Sequence, residues 1–261
     1  MKIDFIGHPQ LLQWNELCNL WKEAFGDDDA FLETFKKTAF SCERCFCITI
    51  DGTIAAALYW FDCIFDEHPI AYLYAVATTK AHQKKGLCHT LLAYTHEQLK
   101  SKGYAGTILV PANDSLRIFY EKIGYVTCTH ISHILHTLPE SNSVTTSPFA
   151  LRQLEANEYA LLRRQFLPAG SVLQENENLD FLQTQVQFYA NKEILLAATK
   201  YEDTLFAAEL LGNTQKLSDI LQYFDCQKGR FQIIGNDIPY GMYYPLTDSS
   251  ELPIYLGFAF D

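Results

Sequence analysis

Long apolar runs and low-complexity tracts are both missing from this sequence of 261 residues. No uninterrupted apolar segment approaches the roughly 18 residues that a membrane-crossing helix requires, and the N-terminal residues have no apolar core typical of a signal peptide. We therefore expect a soluble, cytoplasmic protein with no membrane partner. The composition is 48% hydrophobic and 14% aromatic, which is typical of a folded chain and excludes an intrinsically disordered one.

Positive charge is also scarce. The chain has 20 Lys and Arg residues against 31 Asp and Glu residues, a net charge of -11, and most of the acidic excess falls after residue 138. This balance argues against general nucleic-acid binding and weakly favours cationic substrates. We expect no nucleic-acid partner, and a monomer or homodimer.

The cysteine and histidine patterns do not indicate a metal site. The eight cysteines lack the dense framework of a disulfide-stabilised domain, so reduced thiols are expected. Cys42 and Cys45 form a C-x-x-C pair, but no second Cys/His pair completes a zinc site. His130, His133 and His136 recur every third residue within a predicted strand, so they do not share a face.

The length predicts two domains. A polar stretch of linker composition at residues 139–148 separates a first domain, 1–138, from a second, 149–261. In the first half, apolar periodicity and turn residues predict helices at 11–25, 30–37, 86–100 and 113–122, and strands at 45–50, 53–61, 71–78, 107–110 and 125–138. In the second half they predict a strand at 150–154, helices at 155–166 and 179–191, and a hairpin at 194–201 and 204–211.

One segment combines a strand, a basic loop and a helix. The strand at 71–78 runs into a loop that contains Lys80, Lys84 and Lys85, and Gly86 begins the next helix. Free amides at a helix start, together with the positive end of the helix dipole, can hold a pyrophosphate. A solvated connection is the alternative interpretation of such a loop.

A more specific pattern follows. The run from Gln83 to Cys88, Gln-Lys-Lys-Gly-Leu-Cys, is followed by Asn113 and by Phe-Tyr-Glu-Lys-Ile-Gly-Tyr at 119–125. Together they resemble the GNAT superfamily of acyl-CoA-dependent N-acyltransferases, in which the loop has the form Arg or Gln, two residues, Gly, one residue, then Gly or Ala. Cys88 departs from that form.

The resemblance implies an α/β (α+β) GNAT fold, a mixed central sheet flanked by helices. It implies that strand amides bind the pantetheine arm of acetyl-CoA and that the loop holds the pyrophosphate. The cofactor-binding residues implied are Val76, Ala77, Thr78, Gln83, Lys84, Lys85, Gly86, Leu87, Cys88, His89 and Asn113. Asn113 is also suited to capping a helix, and the two roles are compatible. The second half resembles the family only in the order of its elements, as a smaller, degenerate GNAT-like domain.

Tyr120 matches the family's tyrosine that protonates the departing CoA thiolate, and ordinary aromatic packing is the alternative. No general base is evident, because the predicted strands at 71–78 and 107–110 contain no carboxylate. Candidates for the base are Asp62, Asp66, Glu67, His68 and the terminal carboxylate of Asp261. The triplet of aspartates at 27–29 suits helix capping, or attraction of a cationic amine.

We therefore expect an N-acetyltransferase that moves an acetyl group from acetyl-CoA, as cosubstrate, to a primary amine by direct attack in a ternary complex. The acceptor is a small-molecule or peptide amine whose identity the sequence leaves open. Two alternatives remain: a non-catalytic acyl-CoA-binding regulatory module, and a tandem-GNAT transferase of a larger acyl or aminoacyl group.

Overall fold

The computed structural model describes residues 2–139 and 149–260. Its helices are α1 (Trp14–Phe25), α2 (Asp29–Thr38), α3 (Leu87–Ser101), α4 (Asp114–Ile123), α5 (Ala156–Phe166), α6 (Glu177–Leu182) and α7 (Leu217–Tyr223). Its strands are β1 (Phe5–Gly7), β2 (Cys45–Ile50), β3 (Thr53–Phe65), β4 (His68–Thr78), β5 (Gly106–Leu109), β6 (Val126–Thr127), β7 (His130–Thr137), β8 (Arg152–Leu154), β9 (Leu173–Gln174), β10 (Gln187–Ala190), β11 (Ile194–Tyr201), β12 (Thr204–Gly212), β13 (Lys228–Ile234), β14 (Ile238–Pro239) and β15 (Met242–Pro245). In this part of the chain, no helix is long and apolar enough to cross a membrane.

Two tight turns shape the first hairpins. Asp51 and Gly52 both have positive φ, 51° and 76°, as a two-residue turn between β2 and β3 requires. The turn between β3 and β4 uses Asp66 and Glu67, also at positive φ. Because that second turn contains no glycine, the sequence pattern misses it, and both strands extend further than the predicted 53–61 and 71–78.

The chain divides into two compact units. Unit 1 comprises residues 1–127 and 242–252, and unit 2 comprises residues 128–241 and 253–261. This division differs from the predicted contiguous domains 1–138 and 149–261, because the predicted strand at 125–138 splits into β6 of one sheet and β7 of the other. Except for Pro139, the predicted linker at 139–148 lies outside the described residues.

Unit 1 contains a mixed sheet with the order β1-β2-β3-β4-β5-β15-β6. Strands β4 and β5 are parallel, and α3 connects them. β15 pairs antiparallel with both β5 and β6, so a late segment of the chain completes this sheet.

Helices cover both faces of the unit 1 sheet. Trp60 packs in one core cluster with Leu91 and Leu92 of α3. The next residue, Tyr59, has its ring centroid 5.0 Å from that of Phe35 in α2. Because consecutive strand residues point to opposite faces, α3 and α2 lie on opposite sides of the sheet.

Unit 2 repeats this arrangement. Its sheet has the order β8-β10-β11-β12-β13-β7-β14, with β12 and β13 parallel and α7 in the crossover between them. Each strand of this sheet therefore corresponds to one strand of the unit 1 sheet, and β7 takes the place of β15. The expected mixed sheet flanked by helices is confirmed. The predicted helix at 179–191 is wrong: α6 ends at Leu182, and Phe188 and Ala190 alternate inward along β10.

Candidate active site

A bulge on β4 lies at the centre of the candidate site. Ala57 of β3 pairs with Ala77, but Tyr59 pairs with Tyr74, so two residues of β4 face one residue of β3. Ala75 has φ 50°, which is a left-handed conformation that alanine adopts at a cost of about 1–2 kcal/mol. An extra residue of this kind bends a strand and disrupts its ladder locally.

The pairing between β4 and β5 stops just before the bulge. The parallel register covers Ile70 to Tyr72 only, whereas β4 continues to Thr78. In that extension Ala77 is buried, while Val76 and Thr78 are half-buried. The two strands thus separate beside Val76, Ala77 and Thr78, and this edge of β4 is suited to accept an extended ligand arm as an added strand.

The loop after β4 leads directly to the amino end of α3. Gly86 is the N-cap residue of α3, at φ 83°. A Cβ at this position would meet no atom within 4 Å, so the space above the backbone is open. The first intrahelical bond of this end runs from the amide of Thr90 to the carbonyl of Gly86. The amides of Leu87, Cys88 and His89 therefore have no carbonyl partner within the helix.

The charges of this loop are positive. Lys80, Lys84, Lys85 and His89 are exposed, and Lys84 has a positive φ of 60°. Lysine charges beside unpaired helix amides favour an anionic ligand. The side chain of Gln83 donates to the carbonyl of Thr78 at 3.4 Å, which ties the loop back to β4.

Cys88 is half-buried and packs against the hydrophobic core of unit 1. Burial raises the pKa of its thiol to about 12. The thiol therefore stays protonated near neutral pH, and it packs inward where the GNAT pattern has a smaller residue.

Tyr120 of α4 is buried, with 6% of its surface exposed. Its ring lies 5.3 Å from that of Phe119 and 5.5 Å from that of Tyr125, both in edge contact. Burial, with a smaller contribution from Cys88, raises the pKa of Tyr120 far above its usual value. Among the described residues, no hydrogen bond is made by its hydroxyl group. The phenol is thus protonated and available as a donor.

Asn113 caps α4. Its side-chain oxygen accepts a hydrogen bond from the amide of Leu116 at 3.0 Å, and the residue is exposed. The capping role is therefore present, and the amide nitrogen of its side chain stays accessible for a second contact.

The candidate general bases lie elsewhere. Asp62 accepts a hydrogen bond from Tyr104 at 2.5 Å and pairs with Arg44 at 3.5 Å. Asp66 and Glu67 form the turn at the opposite end of β4, and His68 follows them. At about 3.3 Å per residue, that turn is over 20 Å along the strand from the bulge. Asp66, Glu67 and His68 are therefore poorly placed to act on a group bound there. Asp62 lies opposite Ala71, about 13 Å along the strand from Ala75, and its carboxylate is already engaged by Tyr104 and Arg44.

The aspartate triplet acts as the capping interpretation predicts. Asp28 accepts a hydrogen bond from the amide of Phe31 at 2.8 Å. Asp29 forms an ion pair with Lys22. Burial, and then the neighbouring Asp28, raises the pKa of Asp27. The candidate base at the C-terminus, Asp261, lies outside the described residues.

Two contacts near the bulge were missed by sequence reasoning. The indole of Trp21 in α1 donates to the carbonyl of Ala75 at 3.2 Å. The carboxylate of Glu23, two residues later in the same helix, accepts a hydrogen bond from the amide of Lys80 at 3.0 Å. Helix periodicity identifies Trp21 as a core residue, but it carries no signal for a bond to a strand distant in sequence.

The cysteine thiols of the described residues form neither a disulfide nor a metal cluster. All eight cysteines, including Cys42 and Cys45, are free. Within residues 2–139 and 149–260, no group of three or more His, Cys, Asp or Glu side chains is arranged to hold a metal ion.

Comparisons with known proteins find one matching family model and solved structures of similar fold. Residues 8–128 match the family model described as an acetyltransferase (GNAT) domain. A search of curated proteins found no match for the sequence.

Solved structures share the fold at low sequence identity. A GCN5-related N-acetyltransferase from Anabaena variabilis is similar with a TM-score of 0.73 and 14% identity, over 93% of this chain and 73% of that one. A probable N-acyltransferase from Enterococcus faecalis gives 0.72 and 15%, over 94% and 73%. A GCN5-related N-acetyltransferase from Kribbella flavida gives 0.71 and 13%, over 92% and 71%.

Proposed function

Because residues 8–128 match the family model of a GNAT acetyltransferase domain, we propose that the protein transfers an acetyl group from acetyl-CoA to a primary amine in a ternary complex. The observation that carries the proposal is the conjunction of two features. The bulged end of β4, free of β5, leads through a basic loop into the unpaired amides at the start of α3.

The start of α3 fits the diphosphate of the cosubstrate. The amides of residues 87–89 supply aligned donors, and Gly86 leaves the approach to them open. Lys84 and Lys85 add mobile positive charge that favours an anion of this kind. The role proposed for Gln83 is to hold the loop against β4 through its hydrogen bond to Thr78.

The free edge of β4 fits the amide-containing pantetheine arm. Backbone groups of Val76, Ala77 and Thr78 would pair with it in the manner of an added strand. Side chains of this segment are small, and Val76 packs against the core. The acyl end of the arm then lies near the bulge.

Tyr120 would donate a proton or a strong hydrogen bond to the sulfur that leaves when the amine attacks the acyl carbon. The amine forms a bond to that carbon as the carbon–sulfur bond breaks, and the amine loses a proton. The raised pKa keeps Tyr120 neutral at the moment a donor is needed. Since the carboxylates of Asp66 and Glu67 lie far from the bulge, and that of Asp62 is engaged by Tyr104 and Arg44, we propose that water removes the proton from the amine.

Acyl-CoA binding is tested with a matched pair of glycines. Gly86 and Gly103 both have positive φ, 83° and 85°, and a Cβ at either meets no atom within 4 Å. Gly86→Ala and Gly103→Ala therefore impose the same backbone strain, about 1 kcal/mol. We expect calorimetry to show acetyl-CoA affinity reduced at least tenfold in Gly86→Ala and changed less than twofold in Gly103→Ala. Equal affinities in the two variants would remove this loop from the site.

A further inference from the structure

The side chain of Trp21 links α1 to the bulge of β4. The indole nitrogen of Trp21 donates to the carbonyl oxygen of Ala75 at 3.2 Å. Trp21 is 1% exposed, so the indole has little contact with water. An indole has one donor and no acceptor, and here that donor is used on the one residue of β4 whose φ is positive.

The ring of Trp21 is itself fixed. Edge contacts surround it, with centroid distances of 5.9 Å to Trp14, 5.8 Å to Phe35 and 6.2 Å to Phe40. Rings packed on several sides at these distances have one orientation. The direction of the indole N–H, and hence of the bond to Ala75, is therefore set by the aromatic cluster on this face of the sheet.

Fixing the carbonyl of Ala75 fixes the next amide. The peptide group that joins Ala75 to Val76 is planar and trans, as this structure contains no cis peptide bond among its described residues. In a trans peptide the C=O and N–H bonds point in opposite directions. Since the carbonyl points toward α1, the N–H of Val76 points away from that helix, at the position where β4 has parted from β5.

We propose that Trp21 is a positioning residue that orients the Val76 amide as a hydrogen-bond donor to the acyl carbonyl of the bound thioester. This inference rests on the proposed function, because it concerns the same ligand. The donor is set before the ligand arrives, which is what stabilisation of developing negative charge on a carbonyl oxygen requires. The strained φ of Ala75 is kept because its half-buried carbonyl and the buried indole would otherwise both lose a partner.

The test compares two tryptophans of one helix and one aromatic cluster. Trp21→Phe removes the N–H and keeps an aromatic ring, and Trp14→Phe makes the same change 5.9 Å away without touching the bond to Ala75. Acetyl-CoA and CoA are titrated into both variants by calorimetry. CoA lacks the acyl group, so it reports on the remainder of the site.

We expect Trp21→Phe to bind acetyl-CoA three- to tenfold more weakly and CoA within twofold of the wild type. Trp14→Phe should bind both within twofold. In NMR spectra of ligand-free ¹⁵N-labelled protein, the Val76 amide resonance should change its chemical shift in Trp21→Phe and keep it in Trp14→Phe. The reason is that the chemical shift of an amide nitrogen responds to hydrogen bonds at the preceding carbonyl. Equal losses of acetyl-CoA and CoA affinity, or an unmoved Val76 resonance, would overturn the inference.

Turnover adds a separate readout. We expect Trp21→Phe to lower kcat about tenfold or more with KM for acetyl-CoA changed less than threefold. A wild-type chain that binds acetyl-CoA without transferring it contradicts the proposed function, while the affinity ratio still decides the inference. If Trp21→Phe does not fold, 3-benzothienylalanine at position 21 keeps the shape of the indole without its N–H, and the same outcomes apply.

Discussion

His96 of α3 and Tyr125 form a buried hydrogen bond, with 2.8 Å between the imidazole Nε2 and the phenolic oxygen. Thr107 of β5 lies 2.8 Å from the same oxygen, and Tyr244 of β15 stacks on the imidazole at 4.2 Å. Tyr125 in turn contacts the ring of Tyr120. A polar network inside unit 1 thus supports the aromatic side chain proposed as proton donor.

Stability should depend on pH through His96. Burial lowers its pKa from 6.5 to about 4. Between these values the unfolded state binds a proton that the folded state excludes, so stability rises with pH across this window and is fully present above pH 6.5. The difference is roughly 3 kcal/mol for a shift of this size. Urea unfolding of the wild type and His96→Gln at pH 7 and 4.5 measures it.

In His96→Gln this part of the pH dependence should vanish. His89→Gln, an exposed histidine of the same helix, is the control and should follow the wild type. Identical pH profiles for His96→Gln and the wild type would show that His96 is not held neutral by the fold.

Tyr120→Phe should lower kcat by about 100-fold, the typical effect of losing a general acid. KM for acetyl-CoA should change less than threefold, because the loss falls on the transition state. Initial rates of thiol release measure both constants. Tyr94→Phe, a half-buried tyrosine of α3, is the control for loss of a phenol. If turnover is unchanged in Tyr120→Phe, this residue has no part in the chemistry.

Charge in the basic loop should contribute modestly to affinity. Lys84 and Lys85 are exposed, and each exposed charge contributes at most about 1 kcal/mol. The double variant Lys84→Gln/Lys85→Gln should bind acetyl-CoA about three- to tenfold more weakly at low salt, with a smaller dependence on salt than the wild type. Lys37→Gln/Lys192→Gln removes two exposed charges elsewhere and should leave the titration unchanged. Equal effects would assign the difference to net charge alone.

Unit 2 should depend on one buried ion pair. Glu209 accepts from Arg163 at 2.8 and 2.9 Å, and from Tyr159 and Tyr255 at 2.7 and 2.9 Å. Burial opposes the charge of Arg163, but the neighbouring carboxylate of Glu209 outweighs it and raises the pKa of Arg163. Glu209→Gln leaves that arginine buried without a counter-charge and should lower the free energy of unfolding by about 3–5 kcal/mol.

The control for Glu209 is the neighbouring pair. Glu175 pairs with Arg164 at 2.5 Å, where the arginine side chain is 48% exposed. Glu175→Gln should cost about 1 kcal/mol or less. Urea unfolding followed by circular dichroism compares the two variants, and similar losses would contradict a special role for the buried pair.

Local sequence patterns predicted most of the helices and strands, but not which of the two sheets each strand joins. The helix ended by Gly26, the turn at Asp51 and Gly52, and the order of strands and helices in residues 45–123 all follow from periodicity and turn chemistry. The pairing of β15 with β5 does not, because Met242 to Pro245 carry no information about a partner more than a hundred residues away.

The candidate site was predicted in the same uneven way. Gly86 and the following amides were predicted because glycine and lysine at a helix start have a local physical meaning. The bulge at Ala75 was not predicted, since alanine gives no sign of a positive φ. The tertiary contact that the bulge makes with Trp21 is likewise invisible in the local sequence.

The central claim is amine-dependent acyl transfer from acetyl-CoA. Initial rates of thiol release, measured with both acetyl-CoA and a panel of primary amines varied, test it most directly, with the acetylated amine identified by mass spectrometry. We predict release that requires an amine, saturates in both substrates and gives intersecting reciprocal plots, as direct attack in a ternary complex demands. Binding of acetyl-CoA with no amine-dependent release from any member of the panel would contradict the account.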